Sequence, residues 1–381
     1  MKGPDDVVIT AAKRTAIGKF LGVHKEKTGV DLGVLALQAA LEGVKPESVD
    51  QVILGNARGA GLGPNPARQV AIRAGVPHDR PAFTVNQACA SGLKAIVLAS
   101  EQIRLGEADL VAAGGTESMS NVPFLLPRFR EGYRQGDAEV VDGMYKDGFL
   151  CPMAKKVMGA TAETLAERLG IPREEQDAYA AESQRRCEEA RKHDRFAAEL
   201  IAGTDECPRD GVVAEKLAKL PPVFKKTGTV SAGNSSGIAD GAAFVLVARR
   251  KAAERLGLPV LARLEASATV GVDPEIMGIG PVPAVRKLLE KTGRKLDEFD
   301  LVELNEAFAA QVLACLKDLP IDRARLNVWG GSIALGHPIG CTGTRIVATL
   351  LDQMKQLDAR RGLATLCVSG GLGIAASFER E

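Results

Sequence analysis

The chain has 381 residues, enough for two or three domains or one large one and far too many for a disulfide-stapled miniprotein. Lys+Arg 49 against Asp+Glu 48 leaves a net charge of +1, so no global field gathers nucleic acid or an anionic membrane surface. Aromatic residues at 4% make a poor base-stacking surface, so neither nucleic acid nor membrane is an expected partner and an anionic ligand must be held locally.

The opening MKGPDDVVIT carries Asp5 and Asp6 and has neither an apolar h-region nor an Arg-rich amphipathic leader, and ASFERE matches no peroxisomal or retention tail; a cytoplasmic protein is expected. Valine-rich runs then recur, DDVVIT at 5, DQVILGN at 50, ADLVAAGG at 108, AAFVLVA at 242, FDLVELN at 299 and ATLCVSGG at 364, alternating with Ala- and Leu-rich helical stretches. That alternation is an α/β pattern. From about 120 to 237 the texture changes to an irregular stretch and then a charged helical one almost without strand signals, which predicts an insertion. The expected division is one lobe of 1–119 plus 238–258, a loop domain of 120–237, and a second lobe of 259–381. The uncharged run Leu326–Thr344 holds five glycines and Pro338, so it is no membrane span.

The two lobes look duplicated. Asp50-x-Val52-x-Leu54 lines up with Asp300-x-Val302-x-Leu304, and Asn56 precedes Cys89 by 33 residues where Asn305 precedes His337 by 32. A cysteine and a histidine therefore hold matching places in a repeat.

Seven cysteines, odd in number and without a CxxC pair, argue against a disulfide frame or a zinc knuckle, and no metal set is expected. Cys89 stands where a strand gives way to a helix, a place that favours a thiolate; the alternative is a buried structural cysteine. Of four histidines, His24, His78 and His193 sit among charges and read as solvated. His337, in ALGHPIG, lies among apolar residues, as a base or as a satisfied core histidine. Asn305 and Glu306 follow a strand, either as a helix start or as polar positioners, and Cys367 ends a strand before Ser369-Gly370-Gly371. Gly371-Leu372-Gly373 is not a dinucleotide fingerprint, because too little chain follows for a βαβ unit, and Gly59–Pro64 reads as a surface turn.

Taken together, the Cys89 segment, GNSSGIADGAA from 233, NEAFA from 305, GGSIALGHPIGCTGTR from 330 and ATLCVSGGLG from 364 resemble the thiolases in order and spacing over nearly the whole chain. The resemblance implies a duplicated αβαβα core with an inserted loop domain, a homodimer or homotetramer, and CoA-dependent cleavage of 3-ketoacyl-CoA to acetyl-CoA and a shortened acyl-CoA. No tightly bound cofactor is implied; coenzyme A and acyl-CoA are substrates. Cys89 resembles the family nucleophile, His337 its activating base, and Cys367 the acid/base at the acetyl carbon. Asn305, through a water, would complete one oxyanion hole with His337, and the N–H groups of Cys89 and Ser369 would form the other. Ser236 and Gly237 match the pantetheine-contact segment, Ala232, Phe224, Phe308 and Met158 its surroundings, and Arg209 an arginine near the adenine nucleotide.

Three positions depart from the family pattern. Val157 stands where short-chain acetoacetyl-CoA thiolases usually carry histidine, which favours a degradative enzyme of broader acyl range over a biosynthetic one. Ser369 replaces a usual glycine and Gln87 a common basic residue. A noncatalytic thiolase-like lipid- or CoA-binding protein would lack one of Cys89, His337 and Cys367, and all three are present.

Overall fold

The computed structural model describes residues 3–381. The valine-rich runs form the main strands: β1 (Val7–Arg14), β2 (Gln51–Gly55), β3 (Ala82–Val85), β4 (Leu110–Ser118), β5 (Ala239–Arg249), β6 (Ala262–Gly271), β7 (Leu301–Leu304), β8 (Arg361–Val368) and β9 (Leu372–Glu379). Between them lie the helices α1 (Gly29–Ala40), α2 (Pro66–Arg73), α3 (Ser91–Leu105), α4 (Met158–Leu169), α5 (Arg173–Lys192), α6 (Pro281–Thr292), α7 (Ala309–Asp318) and α8 (Ile339–Gln356). The sheet order is β7-β8-β9-β6-β1-β5-β4-β2-β3, with the short strand Gly18–Lys19 also on β5. Its two halves meet only where Val8 faces Arg263 and Ile9 faces Ala262. In one half β2 runs parallel to β4, in the other β7 runs parallel to β8, and each pair is followed by an antiparallel neighbour, β5 or β9.

Alternation along the strands sorts the side chains into layers. Ile53, Val111, Ala113, Val245 and Val247 of one half, and Ala364, Leu366, Val368, Ile374 and Phe378 of the other, pack on α3 and α8 in one central core. Their sequence neighbours Val52, Leu54, Ala112, Phe244 and Leu246 face α1 and α2, while Val302, Leu304, Leu363 and Ala375 face α6 and α7. The result is five layers, α/β/α/β/α, in which two apolar helices form the middle one.

Those two helices touch backbone to backbone. A Cβ on Gly343 would lie 2.3 Å from the Leu93 nitrogen, and one on Gly92 2.6 Å from Thr344 Oγ1. Both contacts fall in the first turns, so the crossing brings the N-terminal ends of α3 and α8 together.

The chain between β4 and β5 leaves the sheet at Ser118 and returns opposite it at Asp240. It holds α4, α5 and two short two-stranded ribbons, Phe124–Leu125 with Val141–Asp142 and Leu150–Cys151 with Lys156–Val157, which the irregular sequence there does not announce. The expectation for His24 is corrected: it is buried, its ring packs under Gly18, and Nε2 meets the Ala16 carbonyl at 2.9 Å. His78 and His193 are exposed, as their charged surroundings predict. No helix among the described residues is long and apolar enough to cross a membrane.

Candidate active site

Cys89 sits in a single 3-10 turn, Ala88–Ala90, that feeds directly into α3. Ala88 before it has φ 45°, a left-handed conformation that costs a non-glycine residue about 1–3 kcal/mol. The turn is held by its own polar groups: the Ala88 N–H donates to Asn86 Oδ1, the Gln87 N–H to Ser91 Oγ, and Ser91 Oγ donates to the Ala88 carbonyl. The N–H groups of Ser369 and of Cys89 itself favour the thiolate, as does the Arg58 charge, but burial outweighs them and pushes the thiol up. At rest Cys89 is a neutral thiol.

His337 lies two residues before α8, across the helix crossing. Its Nδ1 is 2.7 Å from Thr342 Oγ1, and that hydroxyl spends its own proton on the Pro338 carbonyl at 2.9 Å. The hydroxyl is therefore an acceptor, which assigns the ring proton to Nδ1 and leaves Nε2 as a lone-pair base with no partner among the described residues. Burial, aided by the positive charges of Arg345 and Arg58, lowers the imidazolium to about 3, so the ring is neutral and ready to accept a proton.

Cys367 ends β8, fully buried, and the turn at Gly370 and Gly371 carries the chain back into β9. Burial, then the Cys89 charge, pushes its thiol well up. Asn305 follows β7 and is buried; its Oδ1 accepts from Ser332 Oγ at 2.6 Å, Ser332 Oγ accepts from Arg345 at 2.8 Å, and Arg345 lies 3.7 Å from Glu303. This chain fixes the amide and leaves Nδ2 as a donor without a partner among the described residues. Glu306 does not start a helix. It receives Tyr179 and Ser183 of α5, the Asn327 amide and the Ile333 N–H, and so ties the insertion to the second half.

Glu117 has the same function in the first half. Its buried carboxylate accepts from the Asn56 amide and the N–H groups of Ala57, Arg58 and Gly340, clamping the end of β2 to the start of α8.

One cavity of about 380 Å³ gathers these groups. Cys89, His337, Cys367, Ser369, Met158, Arg209, Phe224, Ala232, Ser236, Gly237 and Phe308 all line it; of the other residues singled out in the sequence, Asn305, Glu306 and Gln87 do not. Its wall falls into two apolar parts. Met158, Phe224, Met277, Ala307 and Phe308 pack around Cys367, with the Phe224 and Phe308 rings edge to face at 5.9 Å, whereas Phe149, Ile238 and Ile339 pack around Cys89. Val157 also lines the cavity. Sequence reasoning missed Arg58, Tyr145, Phe149, Met277 and Ile339. The repeat register alone pointed to Arg58: with Val52 on Val302 it falls on Phe308, and both line the cavity.

Comparison with known proteins agrees over the whole length. Residues 7–251 match the thiolase N-terminal domain and residues 258–380 the thiolase C-terminal domain. An acetyl-CoA acetyltransferase of Pseudomonas aeruginosa is 49% identical over 99% of this chain and 100% of its own, and one of Escherichia coli is 47% identical over 98% of each. Among solved structures, human mitochondrial 3-ketoacyl-CoA thiolase in complex with CoA superposes with TM-score 0.97 at 41% identity, covering 99% of this chain and 98% of that one. Bacillus anthracis acetyl-CoA acetyltransferase superposes with TM-score 0.95 at 44% identity, covering 98% of both. The chain belongs to the thiolase family and is an acyltransferase with thiolase activity.

Proposed function

We propose that this thiolase works in the direction of thiolysis, cleaving 3-ketoacyl-CoA esters with free coenzyme A through an acyl group carried on Cys89. The observation that carries the reading is that two thiols and a neutral imidazole line one largely apolar cavity, with the Ser369 N–H on the Cys89 sulfur. His337 Nε2 takes the Cys89 proton as the sulfur attacks C3. The C2–C3 bond then breaks, and the acetyl-CoA enolate takes a proton from Cys367; the Cys367 thiolate next takes the thiol proton of free CoA, whose sulfur displaces the acyl group from Cys89, and His337 returns its proton to the released Cys89 sulfur. A thioester enolate is a strong base, so donors must be aimed at its oxygen. Asn305 Nδ2, acting through a water beside His337, is suited to that role, and the N–H groups of Cys89 and Ser369 to the tetrahedral acylation intermediates.

On this reading Ser236, Gly237, Ala232, Phe224, Phe308 and Met158 receive the pantetheine arm, and exposed Arg209 meets the nucleotide at the mouth. Segment 120–237 is the cover over the site, and the half-buried edge strand β3 together with exposed Phe124, Phe129 and Val140 fits a homodimer or homotetramer. Val157 supports a broad acyl range. The acetyl-CoA acetyltransferase names of the relatives favour a second reading, an enzyme confined to acetoacetyl-CoA.

A thiolysis assay over 3-ketoacyl-CoA esters from four carbons upward, with intact mass spectrometry on Cys89, separates the two. Turnover that extends beyond four carbons supports the degradative reading; activity on acetoacetyl-CoA alone supports the other. Cys89→Ala should abolish the acyl adduct, whereas Cys367→Ala should keep acylation measurable from a simple acyl-CoA and lose carbon–carbon bond exchange by on the order of 100-fold or more. Equal loss of both steps in Cys367→Ala would refute the division of roles.

A further inference from the structure

Among the described residues Arg58 is the only cation deep in the cavity, and no step of the reaction proposed above brings it to the substrate. It is 7% exposed and makes no ion pair among the described residues. Its Nε has no partner, and Nη1 reaches only the Ala57 carbonyl at 3.4 Å, a poor hydrogen bond. The guanidinium lies 6.0 Å from the Phe149 ring centroid, and Gly148 makes room for it, since a Cβ there would sit 2.0 Å from Nη2. Glu117 feels its charge, but the oxygens of Glu117 are taken by the four N–H donors named above. A structural arginine this deeply buried is normally paired, because an uncompensated buried charge is costly. Here Nε is left without a partner on a side chain that lines the cavity.

Position narrows the ligand. Arg58 sits beside Phe149, which packs with Ile339 and Cys89 and not with the Phe224–Phe308 cluster proposed for pantetheine, and its charge acts on both Cys89 and His337. It therefore stands where the acyl chain on Cys89 would lie. Phosphates at the mouth have the exposed Arg209 instead.

We propose that Arg58 determines acyl specificity by binding a carboxylate at the far end of a short 3-ketoacyl chain. A planar guanidinium with free donors is suited to a bidentate carboxylate, and a methyl terminus would leave those donors unpaired. This inference rests on the thiolytic reading and names its substrate class.

The test compares two six-carbon substrates in thiolysis, 3-oxohexanoyl-CoA and the same chain ending in a carboxylate, 3-oxoadipyl-CoA. The unaltered enzyme should favour the carboxylate chain in kcat/KM by about 10-fold or more. Arg58→Met should lower that ratio by on the order of 100-fold, and Arg58→Lys, which keeps the charge without the fork, should retain part of it. A preference of the unaltered enzyme for the methyl-ended chain overturns the proposal, whatever the variants do. So does an Arg58→Met enzyme slowed equally on both, which would make the arginine an electrostatic aid to Cys89 and not a reader of the chain. Thiolysis without the preference sinks this inference alone, whereas no thiolysis of any ester sinks the thiolytic reading and this one with it.

Discussion

On the proposed mechanism a single proton position on His337 decides whether Cys89 has a base, and Thr342 sets it. Replacing Thr342 with valine removes the acceptor for Nδ1–H at nearly constant volume, so the tautomer with the proton on Nε2 becomes competitive and the base is lost in that fraction. Thr342→Val should slow acylation of Cys89 by on the order of 100-fold, while Thr342→Ser, which restores the hydroxyl, should recover most of it. Stopped-flow acylation with both variants checks this, and a serine variant as slow as the valine one would show that packing, not the hydrogen bond, is what Thr342 supplies. Cys89, His337 and Cys367 were legible in the sequence because each stands at a strand or helix end inside an apolar, glycine-rich block. Arg58 was not legible from its surroundings, since it adjoins Gly59–Pro64, which reads as a surface turn, and its burial depends on Gly148 and Phe149, some ninety residues away in the chain. The burial of His24 was hidden for another reason: its cover, Gly18, is near in the chain, but the charges flanking His24 read as a solvated stretch.

At the scale of elements, the α/β alternation and the repeat could be read from the strands, but the contact that unites the two halves could not. A glycine inside a helix looks like a weakness of about 0.5–1 kcal/mol relative to alanine. Gly343 breaks that expectation because its missing side chain is the space that the Leu93 backbone occupies. Gly343→Ala should therefore destabilise by about 1–3 kcal/mol instead of stabilising, and, by spreading the N-terminal turns of α3 and α8, should slow acylation of Cys89 as well. Thermal melting combined with the acylation rate tests both parts. A variant as stable as its parent would mean that the helices can slide without cost and that their crossing does not position the site.

In the molecule as a whole, the segment between β4 and β5 is held to the sheet outside the cavity lining by an ionic contact. Arg14 of β1, fully buried, donates from Nε to Glu199 at 2.6 Å and through both terminal nitrogens to Asp205 at 2.7 and 2.9 Å, both carboxylates being supplied by the insertion. Burial raises the Glu199 carboxyl from its ordinary 4.5 even with the guanidinium present. Arg14→Met would leave two buried carboxylates facing an apolar side chain, at a cost of about 3–5 kcal/mol. The sign of the pH dependence follows from linkage. A carboxyl whose folded pKa is raised is most compatible with the fold below its unfolded value and loses stability as pH rises above it. Without Arg14 the Glu199 pKa rises further, so the deficit against the parent should be small near pH 4.5 and widen steadily toward pH 8. Paired melting curves across that range give the difference directly. A deficit that stays constant with pH would mean that Arg14 contributes packing against Phe196, whose ring centroid lies 5.3 Å away, and that the insertion is held by Glu306 and its partners alone.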